Sequence, residues 1–343
     1  MPQPSEASAS SEIIDPRALM RQLKPFTTPS TGRSLWELAV TLALFFSTTA
    51  VTLILVDRGY WIALALNGLS GLSLLRLFVI QHDCGHGAFL KNKRASDWIG
   101  RALGVLTFTP YDGWRYSHAR HHATTGNLDA RGLGDVDTLT VREYAEASAM
   151  DRLRYRLYRH PAVLFGLGPA YLFLLRHRFP IGLMDKGWTY WASVLASNLA
   201  LALIVAPLIW QFGWLATLSV VLPTVLIAGG IGVWLFYVQH QYEAAHWETA
   251  DTWKFYNAAL HGSSYLDLPQ PLRWFTANIG IHHVHHLAST IPFYRLPEVL
   301  EAYPALKDMN RMTARETIRP MTLALWDEER GKLVSFREAA ATA

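Results

Sequence analysis

Four long apolar runs constrain the fold of this chain more than any other feature of its sequence. They cover residues 35–56, 60–81, 188–209 and 213–238, and the last two contain no charged residue. A helix needs about 20 residues to cross the hydrocarbon core of a bilayer. Four such runs are too many for the core of one soluble protein. The sequence therefore predicts an all-α integral membrane protein with four transmembrane helices.

Short links between the runs predict how the four helices are arranged. Residues 57–59 and 210–212 leave room only for tight turns, so the runs should form two antiparallel hairpins. Residues 1–34, 82–187 and everything from 239 onward then share one side of the membrane. Of the 31 Lys and Arg residues, all except Arg58 and Arg76 fall there. Because an excess of Lys and Arg marks the cytoplasmic side, we expect this side to be cytoplasmic, in a bacterial inner membrane.

The remaining segments divide the chain into three parts. Residues 1–34 are rich in Ser, Pro and Ala and lack the apolar core of a signal peptide, which predicts a flexible tail. Residues 35–300 form the membrane domain, and residues 301–343 a cytoplasmic C-terminal segment. Within the domain, the apolar stretches 98–108 and 162–175 are too short to span. We interpret both as interfacial or re-entrant helices.

Composition excludes several classes of function. Only 17% of residues are charged, and 13 Trp and 14 Tyr residues suit the boundary between membrane and water. The single Cys84 excludes an intramolecular disulfide and any thiolate-rich metal site. A net charge of +4 without a basic block gives no indication of nucleic-acid binding.

Three histidine clusters follow the ends of the predicted spans or lie between them. They read HDCGH at 82–86, HARHH at 118–122 and HHVHH at 282–286. Residues three and four apart share one face of a helix, so each cluster aims two or three imidazoles at one point. Eight such ligands suit two metal ions, although imidazole alone does not select among Zn, Cu, Fe and Ni. The eight candidate ligands are His82, His86, His118, His121, His122, His282, His285 and His286.

A ninth ligand is expected near the end of the fourth span. His240 follows that span directly and is the favoured candidate, while His246, about 240° further around a helix, is the second. His283 lies on a different helical face from its neighbours and is excluded from the ligand set. Carboxylates should orient the imidazoles through their second ring nitrogen. The main candidate is Asp83, and the weaker candidates are Asp135, Asp137 and Glu243.

The three clusters resemble the histidine boxes of the membrane fatty acid desaturase family, in order and in position around two hairpins. Smaller similarities are Gly113-Trp114 before the second box and Asn278-Ile279-Gly280 before the third. The resemblance covers about residues 35 to 300. It is greatest to the acyl-lipid desaturases of the Δ12 and ω-3 type, and no cytochrome b5 haem motif is fused to this chain.

The resemblance implies that the eight box histidines, with His240 as the additional ligand, bind two iron ions. It further implies that O2 and two electrons are used to introduce a cis double bond into an acyl chain of a membrane lipid. The electrons should come from a separate ferredoxin or cytochrome b5.

Three alternatives use the same sequence features. A related membrane di-iron hydroxylase or carotenoid ketolase has similar histidine boxes, and only its product separates it from a desaturase. An intramembrane zinc hydrolase would be expected to contain HExxH, which this chain lacks. A metal transporter should carry histidines near the middle of its spans, whereas here every cluster lies beyond a span end.

Overall fold

A computed structural model describes residues 15–341 as a mostly helical molecule. Three helical stretches are long and apolar enough to cross a membrane: Thr31–Asp57, Trp61–His86 and Trp188–His240. They identify the chain as a membrane protein. The first begins where Ser30 accepts a hydrogen bond from the backbone of Arg33, an N-cap.

The first hairpin is formed by α2 (Thr31–Asp57) and α3 (Asn67–His86), joined through a 3₁₀ turn at Trp61–Leu66. The inner helix is α3, whose residues Leu74, Leu77 and Ile80 are almost completely buried. By contrast, α2 leaves large apolar side chains exposed along its length, among them Phe46 and Val51. Exposed apolar side chains on a long apolar helix suit contact with lipid.

The two predicted spans 188–209 and 213–238 are consecutive halves of one helical element, α9 (Trp188–His240). Its 53 residues would extend about 80 Å if straight, far beyond the hydrocarbon core of a bilayer. The element is broken at Gly213, whose φ of 76° and ψ of 158° are not helical. Glycine adopts such a φ without the steric cost that other residues have.

Shorter helices connect the two long apolar regions. They are α4 (Lys93–Leu106), α5 (Tyr111–Thr124), α6 (Val141–Glu146), α7 (Ala149–Tyr158) and α8 (Gly168–Ala170). The predicted interfacial stretch 98–108 falls largely within α4, while 162–175 contains α8 between two π-helical turns, Val163–Leu167 and Tyr171–Leu175.

The structure contains short strands as well as helices, so the all-α prediction is wrong in this respect. Three strands, β1 (Leu139–Thr140), β4 (Leu323–Asp327) and β5 (Lys332–Ser335), form one sheet in the order β1-β4-β5. A parallel pair consists of β2 (Tyr265–Asp267) and β3 (Arg311–Thr313). Every residue of β4 is buried, so this strand is the core of the three-stranded sheet. The remaining helices are α10 (Phe255–His261), α11 (Leu272–Phe275), α12 (His282–Leu287), α13 (Leu296–Ala302) and α14 (Phe336–Ala340).

The flexible tail predicted for residues 1–34 is too long. Its first 14 residues lie outside the described part of the chain, but α1 (Pro16–Gln22) is a regular helix. Asp15 caps this helix and Pro16 occupies its first turn, both favourable at a helix N-terminus. Leu19 and Leu23 are buried in an apolar cluster that also contains Leu260. This packing orders a segment whose composition alone indicates flexibility.

Candidate metal centre

The first two histidines lie on the last turn of α3, which continues five residues past the predicted end of its span. His82 and His86 are one helical turn apart, and their Nε2 atoms are 3.3 Å from each other. The helix ends at Gly87, whose φ of 68° gives the left-handed conformation common at helix C-termini. The rigid end of an inner helix therefore carries the first cluster.

The other two clusters also lie on helices. His118, His121 and His122 occupy the C-terminal half of α5, and the third cluster forms α12 itself. As expected from the sequence, histidines three and four residues apart therefore lie on one face of a helix.

Nine imidazoles meet in the interior through their Nε2 atoms. His86 lies 2.9 Å from His118, which lies 3.1 Å from His122. His122 in turn lies 3.2 Å from His285. These three distances join all three helices in one cluster. Mutual distances define a group of five, His82, His86, His118, His122 and His285.

A second group lies directly beside the first. His121, His240 and His286 form it by the same criterion, and the Nε2 atom of His282 lies 3.0 Å from that of His240. Between the groups, the rings of His122 and His286 are stacked with centroids 4.0 Å apart. Nine nitrogen donors in two adjoining groups suit two metal ions.

Of the two candidates for the ninth ligand, the structure brings only His240 into the cluster. Its Nε2 lies 3.1 Å from that of His121. His246 is about one-third exposed and lies 3.2 Å from the carboxylate of Glu248. A position on the last turn of α9 therefore aims His240 inward, while the loop that follows carries His246 away.

The geometry and the chemistry of the donors both fit metal binding. Nitrogen ligands at about 2.1 Å from a shared metal lie about 3.0–3.4 Å from their neighbours, and the Nε2 contacts here measure 2.9–3.3 Å. Burial lowers the pKa of His118, His122, His282, His285 and His286 well below the usual value. Their imidazoles are therefore neutral at pH 7, the form that binds metals.

Two carboxylates adjoin the imidazoles from behind. Asp135, in the loop after α5, contacts Nδ1 of His121. Asp83 Oδ1 lies 3.4 Å from Nδ1 of His82, while its Oδ2 accepts a hydrogen bond from the backbone of Phe293. The Asp135 contact fixes the orientation of the His121 ring, whereas Nδ1 of His82 has no hydrogen-bond partner among residues 15–341. The sequence favours Asp83 over Asp135 as the orienting carboxylate. In the structure, however, Asp135 lies closer to His121 than Asp83 lies to His82.

The other two candidate carboxylates have different partners. Glu243 pairs with Lys332 and Arg319, at 2.8 Å and 3.9 Å. Asp137 makes its described hydrogen bonds through backbone atoms, among them its carbonyl oxygen, which accepts from Arg159. The structure therefore brings neither carboxylate to a histidine of the cluster.

His283 is buried beside the cluster but bonds away from it. Its Nε2 lies 3.0 Å from the carbonyl oxygen of Leu306, and its ring packs near Tyr265. This agrees with its expected position on a separate helical face. His177 is likewise engaged elsewhere, with Nδ1 3.2 Å from the carbonyl oxygen of Phe108.

Sequence reasoning missed the aromatic contacts at the cluster, of which one is a stacked pair. The Trp114 ring stacks on the His118 imidazole with centroids 4.9 Å apart and planes 13° from parallel. The sequence spacing could have indicated this stacking, because Trp114 precedes His118 by one helical turn.

Comparison with known proteins agrees with this arrangement. The sequence model of the fatty acid desaturase family matches residues 58–315, which include all nine clustered histidines. A fatty acid desaturase of Bacillus subtilis is 42% identical over 323 residues, covering 94% of this chain and 91% of that protein.

Two cyanobacterial relatives are more distant. A protein of Synechocystis named sn-1 acyl-lipid omega-3 desaturase (ferredoxin) is 34% identical over 234 residues, or 66% of this chain and 63% of that protein. A Nostoc protein of the same name is 28% identical over 266 residues, covering 76% of this chain and 71% of that protein. Together, the family match and these similarities show that the chain belongs to the fatty acid desaturase family.

Proposed function

We propose that this enzyme is an acyl-lipid desaturase that introduces a cis double bond into an acyl chain of a membrane lipid. The observation that carries the proposal is the convergence of nine imidazoles, seven of them buried, in two adjoining groups. They lie at the ends of the long apolar helices α3 and α9 and on the short helices α5 and α12. The names of the cyanobacterial relatives support acyl lipids as the substrate class.

The two histidine groups are suited to hold two iron ions. The first would use His82, His86, His118, His122 and His285, and the second His121, His240, His282 and His286. Two irons bound there would supply the activation of O2 that an unactivated methylene requires, since no protein side chain can remove its hydrogens. The protein's share is to hold the ligands and to place one methylene of a flexible chain against them.

Contacts around the ligands support their role as a preorganised set. The carboxylate of Asp135 holds the His121 ring at Nδ1, and the carbonyl oxygen of Gly262 lies 3.3 Å from Nδ1 of His240. Both contacts leave Nε2 directed at the cluster. Stacking of Trp114 on His118 restrains a third ring. Substitution of such orienting groups typically costs 10- to 100-fold in metal affinity or activity.

We also propose four membrane spans, with both halves of α9 crossing the bilayer. The backbone of Asp112, at the start of α5, donates to Ser193 in the first half of α9, at 3.3 Å. His121, near the end of α5, contacts His240 at the end of the second half. The 14 residues of α5 span about 21 Å, so α9 must reverse direction between these contacts, as the break at Gly213 allows.

The side that carries the histidines is proposed to face the cytoplasm. Four spans place Arg58 alone on the opposite side and nearly all other Lys and Arg residues with the histidines. The positive-inside rule then orients the protein, in a bacterial inner membrane. A separate electron donor fits this side, and the ferredoxin in the names of the relatives supports a small iron–sulfur carrier.

Expression in a host that lacks such desaturases tests the function. We expect a new unsaturated fatty acid in its membrane lipids, with one double-bond position by mass spectrometry. His121→Ala and His285→Ala should abolish it, while His246→Ala should retain it. A hydroxylated or ketolated product, or unsaturated product from the two inactive variants, would contradict the proposal.

A further inference from the structure

A cavity of about 560 Å³ reaches the histidine groups from the outside. Its walls come from α1 and the turn after it, from α5, from α10, and from α12 and the residues that follow. No lining residue belongs to α2, α3 or α9, the long apolar elements. The shorter helices outside the long apolar elements therefore form the walls of the cavity.

Two imidazoles, one from each group, line the inner part of this cavity. His122 belongs to the group of five and His286 to the second group. Both are at least 90% buried, and their rings are stacked with an interplanar angle of 10°. A molecule at the cavity thus approaches both groups through a single pair of rings.

The outer part of the cavity is cationic. Arg21 and Lys24 line it and are exposed, and among residues 15–341 neither side chain has an ion-pair partner. Within residues 15–341, no carboxylate lines the cavity. Two more exposed cations, Arg17 and Lys254, lie on or beside the helices that form its walls. Unpaired cations at one opening favour an acidic partner.

We infer that an acidic one-electron carrier protein docks over this cavity, held by Arg21 and Lys24 and facing the His122–His286 pair. The inference rests on the proposed desaturase function, in which electrons must reach both buried groups. Stacked rings in contact with both groups give one docking position access to the whole site. Charge complementarity of this kind chiefly accelerates association and fixes orientation.

The electron count requires the carrier to act twice in each turnover. A saturated –CH2–CH2– unit, O2, two protons and two electrons give –CH=CH– and two water molecules. The acyl chain is oxidised by loss of two hydrogens, and O2 is reduced to water. Two carrier molecules are each oxidised by one electron, so the first must leave before the second can bind. A docking surface of exposed cations suits such rapid exchange.

The test measures turnover of the full-length, iron-loaded enzyme in phospholipid vesicles against the concentration of reduced plant-type [2Fe–2S] ferredoxin. The charge-reversed variant is Arg21→Glu/Lys24→Glu. A matched control, Arg315→Glu/Arg337→Glu, makes the same change in net charge at exposed residues that do not line the cavity. Binding of ferredoxin to each protein is titrated separately, without reference to product.

We expect the cavity variant to raise the KM for ferredoxin by about 10-fold or more at low salt, with kcat within about twofold. The difference should shrink at about 0.5 M salt, where the charges are screened. The control should match the wild type. In a single turnover of dithionite-reduced enzyme without ferredoxin, the yield of unsaturated product should equal that of the wild type.

Three results would overturn the inference. Ferredoxin binding and KM could be unchanged in the cavity variant, or the control could weaken them equally. The single-turnover yield could fall with the KM effect, which would indicate that the cations bind the anionic headgroup of the substrate lipid. If the wild type yields no unsaturated product in a single turnover, the proposed function fails. The binding titration then still decides whether Arg21 and Lys24 hold the carrier.

Discussion

The Nε2 atoms of His240 and His282 lie 3.0 Å apart although 42 residues separate them in the chain. The contact joins the end of the longest helical element, α9, to the third histidine cluster. His240 lies outside the three sequence motifs, and this contact connects it to the eight histidines within them. The ninth position therefore belongs to the same site in space.

Replacing His240 or His246 by alanine should have sharply different effects on iron content and product formation. His240→Ala removes a nitrogen donor from the second group, so we expect less iron per purified chain and loss of product. His246 contacts Glu248 outside the cluster, so His246→Ala should keep both. Elemental analysis of the purified proteins measures the iron. Equal iron content in the two variants would show that His240 is not a ligand.

Two adjacent histidines in the third cluster provide a second matched pair. His282→Gln should lose iron, whereas His283→Gln should retain it, because His283 Nε2 bonds to the carbonyl oxygen of Leu306. Loss of that buried hydrogen bond should instead lower the stability of the fold by about 1–3 kcal/mol. Iron content and thermal unfolding, measured on the same preparations, separate the two roles. Iron loss from His283→Gln at wild-type stability would contradict this assignment.

Asp135 and Asp137 lie two residues apart and should have different functions. Asp135→Asn weakens the contact that orients His121, so activity or iron affinity should fall about 10- to 100-fold. Asp137→Asn should change both much less, because the described bonds of Asp137 use its backbone. Product formation at a series of iron concentrations provides the comparison. Similar losses in both variants would show that a change in the loop, and not the loss of the Asp135 carboxylate, lowers activity and iron affinity.

The proposed four spans predict which positions are accessible from outside the cell. In a Cys84→Ser background, Asp57→Cys and Gln211→Cys should react with a membrane-impermeant maleimide in intact cells. Glu328→Cys should react only after permeabilisation. All three positions are exposed on the protein, so burial does not limit the reaction. Labelling of Gln211→Cys only in permeabilised cells would rule out the reversal of α9 across the bilayer.

A buried ion pair joins α2 to α3. The Arg76 guanidinium donates to the Glu37 carboxylate and to the backbone oxygen of Trp274, and it lies 4.0 Å from the Trp274 ring centroid. Removing one partner of such a pair typically costs about 3–5 kcal/mol, because the other charge stays buried. Arg76→Gln and Glu37→Gln should each lower the Tm in detergent. The double variant should lower the Tm by less than the sum of the two single decreases. Strict additivity of the losses would show that the charges do not stabilise each other.

Strong local periodicity made the long helices and the three histidine clusters predictable. Each cluster repeats the three- and four-residue spacing of a helix, and the apolar runs are long enough to exclude other elements. The contact of Asp135 with His121 depends on the path of an irregular loop, which no periodicity describes. The helix α1 owes its order to the burial of Leu19 and Leu23 against distant residues, which local composition does not show. For the same reason, the cavity beside α1 could not be predicted from local sequence patterns.

The pairing of Arg76 with Glu37 also constrains how the protein is made. A lone charge at the centre of a membrane helix costs about 2.5–3.5 kcal/mol on insertion. Both charges are buried against each other. Glu37 also pairs with Arg33 one turn earlier in α2, whereas the carboxylate that faces Arg76 belongs to the other helix. We therefore expect α3 to insert most readily when α2 already lies beside it. We expect the pairing of the two helices to fix the metal-binding end of α3 in place as well.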